Sequence, residues 1–413
     1  FGKANFLVLS DGKATMQVYV RQDALPALDF QIFKLLDFGD WVGVEGRLFR
    51  TKTNEFTIWA SGLEFLAKCL LPLPEKWHGL VDVETRYRQR YVDLIVNAES
   101  RDVFITRSKT LAAMRHFMND AGFLEVETPM LQVMHGGAAA RPFSTHSNAF
   151  DMQLFLRIAP ELFLKRCVVG GIDRVYEINR NFRNEGADSS HSPEFAMLEF
   201  YEAYADYRDM ARTLREIIQE AAMAVHGTLQ FELFDGREQD LSGEWGWVSM
   251  YPALSDAIGK TITPETPIDE LRKLTDLAGI KPEKTWVSGK FVEELFEHHV
   301  ISTFTGPTFV ADFPEDTSPL TRAHREIPGV VEKWDLYING FEQGTGYSEL
   351  IDPVVQRERL VAQSLLAAKG DVEAMQVDED FLRARPARWL YCRCLRCCRP
   401  LRLKATCGSP SLT

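Results

Sequence analysis

The chain has 413 residues, of which 45% are hydrophobic and 26% charged, a composition typical of a globular protein with room for two or three domains. No run of eighteen apolar residues occurs, so the sequence predicts no membrane span. Nucleic-acid binders are often basic, so the net charge of −12 by itself argues against such a protein, although local patches can still bind phosphate.

The first residues carry no start Met and no apolar leader, since Phe1-Gly2-Lys3-Ala4-Asn5 continue a strand pattern. We therefore expect the natural N-terminus to lie upstream of residue 1. Five of the seven cysteines lie after residue 390, and Cys69 and Cys167 are isolated among apolar neighbours. This distribution is typical of a cytoplasmic protein without disulfide bonds.

The first 70 residues have the pattern of short strands. Segments Phe6 to Ser10 and Thr15 to Val20 flank Asp11-Gly12, which predicts a hairpin with a two-residue loop. Further strands are predicted from Trp41 to Leu48 and from Glu55 to Ala60. Together these strands favour a small β-barrel over residues 1–70.

The predicted hairpin places Phe6 directly opposite Gln17. An exposed aromatic ring beside an amide on a barrel face is typical of base stacking and base reading. A routine cross-strand contact explains the pair as well from the residues alone.

Residues 71–99 are predicted to be a linker, because Leu71-Pro72-Leu73-Pro74 interrupts the strand pattern. Helical and strand patterns then alternate from residue 100 to residue 384. One helix is predicted from Ser100 to Ala121 and ends at Gly122. Another is predicted from Met210 to Val225 and is followed by Gly227.

Strand patterns surround these helices, at Arg174 to Arg183, at Glu194 to Tyr204, and twice between Trp334 and Glu349. Long antiparallel hairpins with intervening helices predict an α+β domain over residues 100–384.

Asn339-Gly340 is typical of a two-residue type I′ hairpin turn. Such a turn pairs Tyr337 with Glu342 and puts Asp335 on the same face, about 7–8 Å from Glu342 at the backbone. Two carboxylates at that spacing suit one Mg²⁺ ion whose other ligands are phosphate oxygens. Two acids on a solvated sheet face explain the pattern as well.

A strand runs into a polar loop at Phe182-Arg183-Asn184-Glu185-Gly186. An arginine at a strand end can clamp a phosphate or a carboxylate through its planar guanidinium. Phe195, Glu199 and Tyr201 follow with one strand parity, so we expect them to line one face. An ordinary arginine in a surface loop is the alternative that the residues leave open.

The composition changes abruptly after Ala384. Residues 385–413 contain seven basic residues, no acidic residue and no helical or strand period, so we predict a disordered tail. Its segment Cys392-Arg-Cys394-Leu-Arg-Cys397-Cys398 matches no standard zinc-finger spacing. A change of reading frame near codon 384 is the simplest explanation.

Several long motifs, in the right order from residue 1 to about residue 384, resemble those of the class II aminoacyl-tRNA synthetases. Gly122 to Pro129 resembles motif 1 of that family, and Arg183 to Phe195 resembles motif 2. Three further segments resemble the lysine-specific members of the family, namely Gly136 to Phe143, Leu156 to Leu162 and Gly346 to Leu350.

The resemblance implies an N-terminal OB-fold that binds the anticodon and a catalytic antiparallel sheet, flanked by helices, that binds ATP. It implies that lysine is activated with ATP and Mg²⁺ to lysyl-adenylate and is then transferred to tRNA(Lys). It also implies a homodimer formed partly through motif 1, with Pro129 at or near the interface.

The resemblance assigns four residues to ATP. Arg183 would hold the α-phosphate and the lysine carboxylate, and Glu185 would read the adenine amino group. Phe195 would stack on adenine, and His191 would face the distal phosphates.

The same resemblance assigns Asp335 and Glu342 to Mg²⁺, in agreement with the hairpin geometry. In the anticodon barrel, Phe6 would stack on a base and Gln17 would read one.

For the substrate lysine, the resemblance assigns Glu349 and Tyr201 to the ε-ammonium, and Glu161 with the Gly137 carbonyl to the α-ammonium. The implied lysine site is completed by Glu199, Thr345 and Tyr347. A buried ammonium needs a carboxylate partner, so a shorter or neutral substrate would leave Glu349 unpaired.

Glu342 and Glu349 must face one pocket if both have these roles, yet an unbroken strand would turn them to opposite faces. One extra residue must therefore be absorbed between them. Gly344-Thr345-Gly346 is the predicted place of this β-bulge, with Thr345 facing the ligand.

The sequence departs from the family at three places. Thr345 stands where asparagine is common, and Ser190 stands where arginine is common. Motif 3, with an arginine that covers the adenine, is absent after Ala384, which leaves the strength of the activity open.

Three other functions fit parts of the sequence. A related ligase attaches lysine to a protein, but that type lacks the OB-fold. The chain could also be the synthetase domain of a membrane-bound lysyl-lipid enzyme, or an RNA-binding remnant without catalysis. The presence of Arg183, Glu185, Asp335 and Glu342 favours a catalytic ancestry.

Overall fold

The structure, a computed structural model, describes residues 4–71, 73, 80–138, 140–186, 192–233, 235–283, 286–368 and 377–384. Within these residues the chain divides after Ile105 into two compact units. His191, Ser190 and the predicted tail from Arg385 lie outside the described residues.

The first unit is built on a four-stranded sheet. Its elements are β1 (Ala4–Ser10), β2 (Thr15–Arg21), α1 (Ala27–Phe33), β3 (Trp41–Arg50), β4 (Phe56–Ala67), α2 (Val83–Arg88) and α3 (Arg90–Val96). The strand order is β1-β2-β4-β3, in which β2 and β4 are parallel and the other neighbours antiparallel. Val18 and Val20 of β2 pack with Phe30 of α1 in the core. All four predicted strands are confirmed.

The predicted two-residue loop between β1 and β2 is wrong. Ser10 pairs with Thr15, so the loop has four residues. The Asp11 carboxylate explains the wider loop, because it accepts hydrogen bonds from the backbone amides of Lys13 and Ala14, each at 2.8 Å.

The wider loop changes the strand register. Phe6 lies opposite Tyr19, and Gln17 lies opposite Val8, so the predicted direct pairing of Phe6 with Gln17 is wrong. Because the register shifts by an even number of residues, two, the side chains of Phe6, Val8, Gln17 and Tyr19 still lie on one face of the sheet. Phe6 and Gln17 are diagonal neighbours on that face.

The second unit contains the remaining elements. In chain order they are α4 (Ala98–Asp120), which begins before the division, β5 (Leu124–Glu125), β6 (Leu131–Gln132), β7 (Ser144–Ser147), β8 (Met152–Leu156), α5 (Glu161–Val169), β9 (Arg174–Phe182), β10 (Glu194–Glu202), α6 (Tyr207–His226), β11 (Gln230–Glu232), β12 (Glu238–Asp240), β13 (Gly246–Ser249), α7 (Met250–Ile258), α8 (Ile268–Leu277), α9 (Ser288–His299), β14 (Thr308–Pro314), β15 (Val330–Ile338), β16 (Phe341–Tyr347), α10 (Pro353–Ala368) and α11 (Glu379–Ala384).

Two sheets position the site in this unit. One has the order β10-β9-β5 and the other the order β13-β14-β15-β16, and most neighbouring strands are antiparallel. A buried cluster joins them to α4 and α6, with Met118 and Leu214 from the helices, Phe200 from β10, and Trp334 from β15. Antiparallel-rich sheets covered by helices confirm the predicted α+β class.

The predicted helices are confirmed as α4 and α6. Helix α6 begins with a capping box, in which Asp206 and Asp209 each accept a hydrogen bond from the other's backbone amide. It ends at Gly227, whose φ of +70° lies in the left-handed region that favours glycine. Both helix ends therefore follow from local sequence.

Helices α7, α8 and α9 form a group that the sequence analysis did not predict. They pack against β14 and β15 through a second buried cluster that includes Leu254, Leu295 and Phe313. Their apolar side chains are buried against the sheet as well as against one another. In the described part of the chain, no helix is both long and apolar enough to cross a membrane.

Candidate functional site

Arg183 directly follows β9, and its backbone amide donates to the Pro193 carbonyl at 2.9 Å. Its guanidinium carbon lies 5.2 Å from the centroid of the Phe195 ring, within cation–π range. The buried Nε atom has no hydrogen-bond partner among the described residues, so this donor can serve a ligand. Glu185 is exposed in the loop that follows.

Strand β10 brings its three predicted site residues to one face. Its pairing with β9 runs without a shift from Glu194 to Glu202, which confirms the common parity of Phe195, Glu199 and Tyr201. Tyr201 and Glu199 are both fully buried, and the Tyr201 hydroxyl donates a hydrogen bond to Glu199 Oε1 at 2.7 Å.

The hairpin between β15 and β16 has the predicted pairing. Tyr337 lies opposite Glu342, and the two loop residues are Asn339 and Gly340. Both have positive φ, +54° and +77°, as a type I′ turn requires.

The expected extra residue in β16 is present, but it precedes the segment where it was predicted. Gly344 pairs with Leu336 while Glu342 pairs with Tyr337, so Gln343 is the bulge residue. The prediction of a bulge is confirmed, and its placement at Gly344 to Gly346 is wrong by one residue.

Gly346 lies in the regular ladder beyond the bulge, directly opposite Trp334. At Gly346 a Cβ atom would lie 2.3 Å from the Trp334 ring, so this position serves a close approach of side chain to backbone. Beyond the bulge, Thr345 pairs with Asp335, which also puts Tyr347 on the Asp335 face. The Thr345 hydroxyl donates to the Trp334 carbonyl at 3.3 Å.

Asp335 and Glu342 lie on one face of this hairpin. Asp335 is buried, its Oδ2 atom lies 3.2 Å from Lys333 Nζ, and its Oδ1 atom accepts no hydrogen bond within the described residues. Across those residues, no three His, Cys, Asp or Glu side chains are grouped to hold a metal ion. A hard cation bound here would therefore need further ligand oxygens, in addition to those of Asp335 and Glu342.

Buried acidic side chains from three elements meet between the two sheets. We call this group the acidic pocket and define it as Glu161, Glu199, Tyr201, Tyr347 and Glu349, each at most 2% exposed. The Tyr347 hydroxyl donates to Glu161 Oε1 at 2.8 Å, which joins β16 to α5. The structure thus brings together five of the seven residues that the family resemblance assigns to lysine.

Burial and the carboxylates of the acidic pocket keep the Tyr201 phenol protonated. Burial raises the pKa of Tyr201 well above its ordinary value of 10.0, and the carboxylates of Glu199, Glu161 and Glu349 raise it further. Tyr201 therefore acts as a hydrogen-bond donor in this pocket.

Gly137 lies directly against Glu161. A Cβ atom on Gly137 would lie 2.8 Å from the Glu161 Cβ atom, and the backbone φ is +87°. A side chain at residue 137 would displace the carboxylate, so the glycine lets the loop backbone reach the acidic pocket.

Lys165 is a pocket residue that the sequence analysis missed. Its Nζ atom lies 2.6 Å from Glu161 Oε1 and 2.8 Å from Glu349 Oε1. The contact with Glu161 has i,i+4 spacing on a helix, which could have suggested it. The contact with Glu349 joins distant parts of the chain, and no local pattern indicates it.

The first unit presents aromatic side chains on its sheet. Phe6 is 55% exposed and stacks near Tyr19, with 5.0 Å between ring centroids, and Tyr19 lies 5.0 Å from Trp59. The Arg47 guanidinium lies 5.0 Å from the Trp59 ring. Gln17 accepts a hydrogen bond from Thr57 at 2.9 Å. Phe6 and Gln17 were predicted from the sequence, whereas the neighbouring rings of Tyr19 and Trp59 and the guanidinium of Arg47 were not.

Pro129 is exposed in a segment that also exposes large apolar side chains. Those nearby side chains are Leu124, Met130, Leu131, Val133 and Met134. An apolar strip of this kind is typical of a surface that another chain covers.

Two protein families match the chain. The family described as tRNA synthetases class II (D, K and N) matches residues 82–387. The family described as OB-fold nucleic acid binding domain matches residues 1–66, which includes the four-stranded sheet of the first unit up to Leu66.

Curated relatives cover nearly the same region. The lysine–tRNA ligase of Kineococcus radiotolerans is 55% identical over 387 residues, which are 93% of this chain and 77% of that protein. The lysine–tRNA ligase of Mycolicibacterium gilvum is 54% identical, with the same shares covered. The lysylphosphatidylglycerol biosynthesis bifunctional protein LysX of Nocardia farcinica is 48% identical, but the match covers 34% of that protein.

The site residues, the α+β sheets and these matches agree with one another. A family model that covers most of the chain, together with relatives that are more than half identical, excludes a chance likeness. The chain belongs to the class II tRNA synthetases, with an OB-fold nucleic-acid-binding domain at its start.

Proposed function

We propose that this chain is a lysine–tRNA ligase, which activates lysine with ATP and transfers it to tRNA(Lys). The acidic pocket is the observation that carries the proposal, because three buried carboxylates favour a ligand with ammonium groups. The names of the relatives from Kineococcus and Mycolicibacterium support the same substrate.

The two ends of lysine have separate partners in the proposal. Glu349 and Tyr201 receive the ε-ammonium, and Glu161 with the Gly137 carbonyl receives the α-ammonium. Glu199, Thr345 and Tyr347 complete the site. Tyr347 donates a hydrogen bond to Glu161. Thr345 lies on the same strand face as Asp335. A carboxylate can accept about four hydrogen bonds. Glu161 and Glu349 each contact Lys165 through one oxygen, so both can still accept hydrogen bonds from the substrate.

Arg183 is the proposed catalytic residue. The lysine carboxylate attacks the α-phosphorus of ATP, the bond to the bridging oxygen breaks, and pyrophosphate leaves. Arg183 lies beside the Phe195 ring, where its guanidinium can hold both the attacking carboxylate and the α-phosphate. A ribose hydroxyl of tRNA then attacks the lysyl carbonyl, and AMP leaves.

The remaining ATP contacts are proposed from the same loop and strand. Phe195 stacks on adenine, Glu185 reads its amino group, and His191 faces the distal phosphates. Asp335 and Glu342 would hold Mg²⁺, and the buried Asp335 Oδ1 atom, which has no hydrogen-bond partner among the described residues, fits the role of a cation ligand. Mg²⁺ supplies neutralisation of phosphate charge when it is bound.

Residues 1–70 form the proposed anticodon-binding domain, residues 71–99 the linker and residues 100–384 the catalytic domain. Phe6 would stack on an anticodon base and Gln17 would read one, since both lie on the aromatic sheet face. The exposed apolar strip around Pro129 supports a homodimer.

The free thiols of Cys69 and Cys167 support a cytoplasmic location.

Ligand-dependent thermal stability tests the proposal. In the presence of ATP and Mg²⁺, lysine is expected to raise the melting temperature, because a ligand at 100 times its Kd adds about 2.7 kcal/mol. Aspartate and asparagine, the other two amino acids named in the description of the matched family, are expected to add nothing. Glu349→Gln should remove the shift with lysine and keep the shift with ATP. Equal stabilisation by aspartate or asparagine would overturn the lysine assignment.

A further inference from the structure

Lys165 connects the two ends of the acidic pocket. Its single ammonium group lies within hydrogen-bond distance of Glu161 and of Glu349, at 2.6 and 2.8 Å. Glu161 begins α5, whereas Glu349 follows β16, so Lys165 links two elements that are far apart in the chain.

The surroundings hold this ammonium in place. Lys165 is 3% exposed, and three aromatic rings lie around its Nζ atom. The ring centroids of Tyr201, Tyr347 and Phe381 are 6.0, 5.8 and 6.0 Å away. Such rings attract a cation and exclude water, so the ammonium has few alternatives to its two carboxylates.

We infer that Lys165 is a positioning residue that holds Glu161 and Glu349 at a fixed separation and so makes the pocket select for substrate length. The inference rests on the proposed function, in which Glu161 takes the α-ammonium and Glu349 the ε-ammonium. A bridge between these carboxylates sets the distance at which two ammonium groups can both bind. Ornithine, which is one methylene shorter, can then reach only one of them.

Lys165→Met tests the inference, because it keeps the buried stem and removes the bridging charge. The dissociation constants of lysine and ornithine are measured by calorimetry on the full chain. The unmodified chain is expected to prefer lysine by about tenfold to two-hundredfold, the range for one methylene. In the variant, lysine binding should weaken by about tenfold or more, and the preference over ornithine should fall to about twofold or less, because Glu349 can then move towards the shorter ligand.

Arg166→Met is the matched control. Arg166 is the next residue of α5 and also pairs with an acid at 2.6 Å, but that acid is Asp378, which is not a residue of the acidic pocket. This variant should keep the lysine preference of the unmodified chain even if its melting temperature falls. If Lys165→Met does not fold, Lys165→Gln, which keeps a polar head without charge, is measured instead with the same expectation.

A preference for lysine that is unchanged in the Lys165 variant overturns the inference, as does an equal weakening of both ligands. An unmodified chain that binds lysine and ornithine equally also overturns it and leaves the proposed function standing. An unmodified chain that binds aspartate or asparagine instead of lysine overturns both.

Discussion

A buried ionisable side chain in this protein takes the protonation state that its neighbours favour. Tyr201 lies among carboxylates and remains a neutral donor, because burial and negative neighbours raise its pKa. Asp93 of α3 is also buried, yet it stays ionised. Burial raises its pKa, but surrounding hydrogen-bond donors outweigh burial and lower the pKa from 3.8 to about 2. Those donors are Asn97, Arg86, Ser100 and Arg90.

Asp93→Asn is expected to lower the unfolding free energy of the first unit at neutral pH. The carboxylate stabilises the folded state fully above pH 3.8 and loses this contribution as the pH falls through about 2, because its folded pKa lies below its unfolded pKa. The shift corresponds to on the order of 2 kcal/mol. Urea unfolding of both proteins at pH 7, 4, 3 and 2 measures the effect.

The difference between the two proteins should shrink as the pH falls from 4 towards 2. Asp82→Asn provides a comparison, because Asp82 caps the nearby helix α2 and is exposed. A difference between Asp93→Asn and the parent that stays constant down to pH 2 would contradict the assigned role of the charge.

At the scale of an element, one residue of β16 decides which side chains enter the site. The bulge at Gln343 reverses the strand parity, so that Glu342 and Thr345 lie on one face although their numbers differ by an odd count. The odd difference between residue numbers 342 and 349 predicts that an extra residue exists. Its position at Gln343 is visible only in the pairing of β15 with β16.

Deletion of Gln343 is expected to abolish stabilisation by lysine and by ATP with Mg²⁺. Regular pairing would turn Thr345 and Tyr347 away from the Asp335 face, which separates the acidic pocket from the carboxylates assigned to Mg²⁺. The melting temperature with and without ligands measures this loss, and circular dichroism checks that the sheet remains. Gln343→Ala keeps the residue count and should retain both ligand responses. A deletion variant that still responds to lysine would show that the bulge is dispensable.

At the scale of the whole molecule, two compact units have separate chemistry. The first unit exposes aromatic rings and guanidinium groups on a sheet, which suits nucleic-acid bases. The second unit buries carboxylates and tyrosines, which suits a small cationic substrate. A change in one unit should therefore leave the reaction of the other intact.

Phe6→Ala is expected to weaken tRNA binding by ~1–3 kcal/mol through the loss of one stacked base. Adenylate formation should not change, because the acidic pocket and Arg183 belong to the second unit. Filter binding of tRNA and lysine-dependent pyrophosphate exchange measure the two effects. Leu35→Ala, which removes another exposed apolar side chain of the first unit, is the control and should leave both unchanged. Equal losses in exchange and in tRNA binding would refute the separation.

Much of the fold and of the site was predictable because it depends on neighbours in the chain. The turn at Asn339-Gly340, the end of α6 at Gly227 and the common face of Glu199 and Tyr201 all follow from local backbone preferences and strand period. The loop after β1 was also local, yet its prediction was wrong, because the Asp11 side chain closes a wider turn than the residue pair suggests.

The sequence by itself determined the family, the α+β class and the residue types that line the site, since motifs and periodicity are properties of short segments. Only the tertiary structure decided that Lys165 also contacts Glu349, and that Gln343 is the bulge residue of β16. Lys165 and Glu349 are distant in the chain. Their contact is set by the burial of whole elements against one another, which no local pattern records.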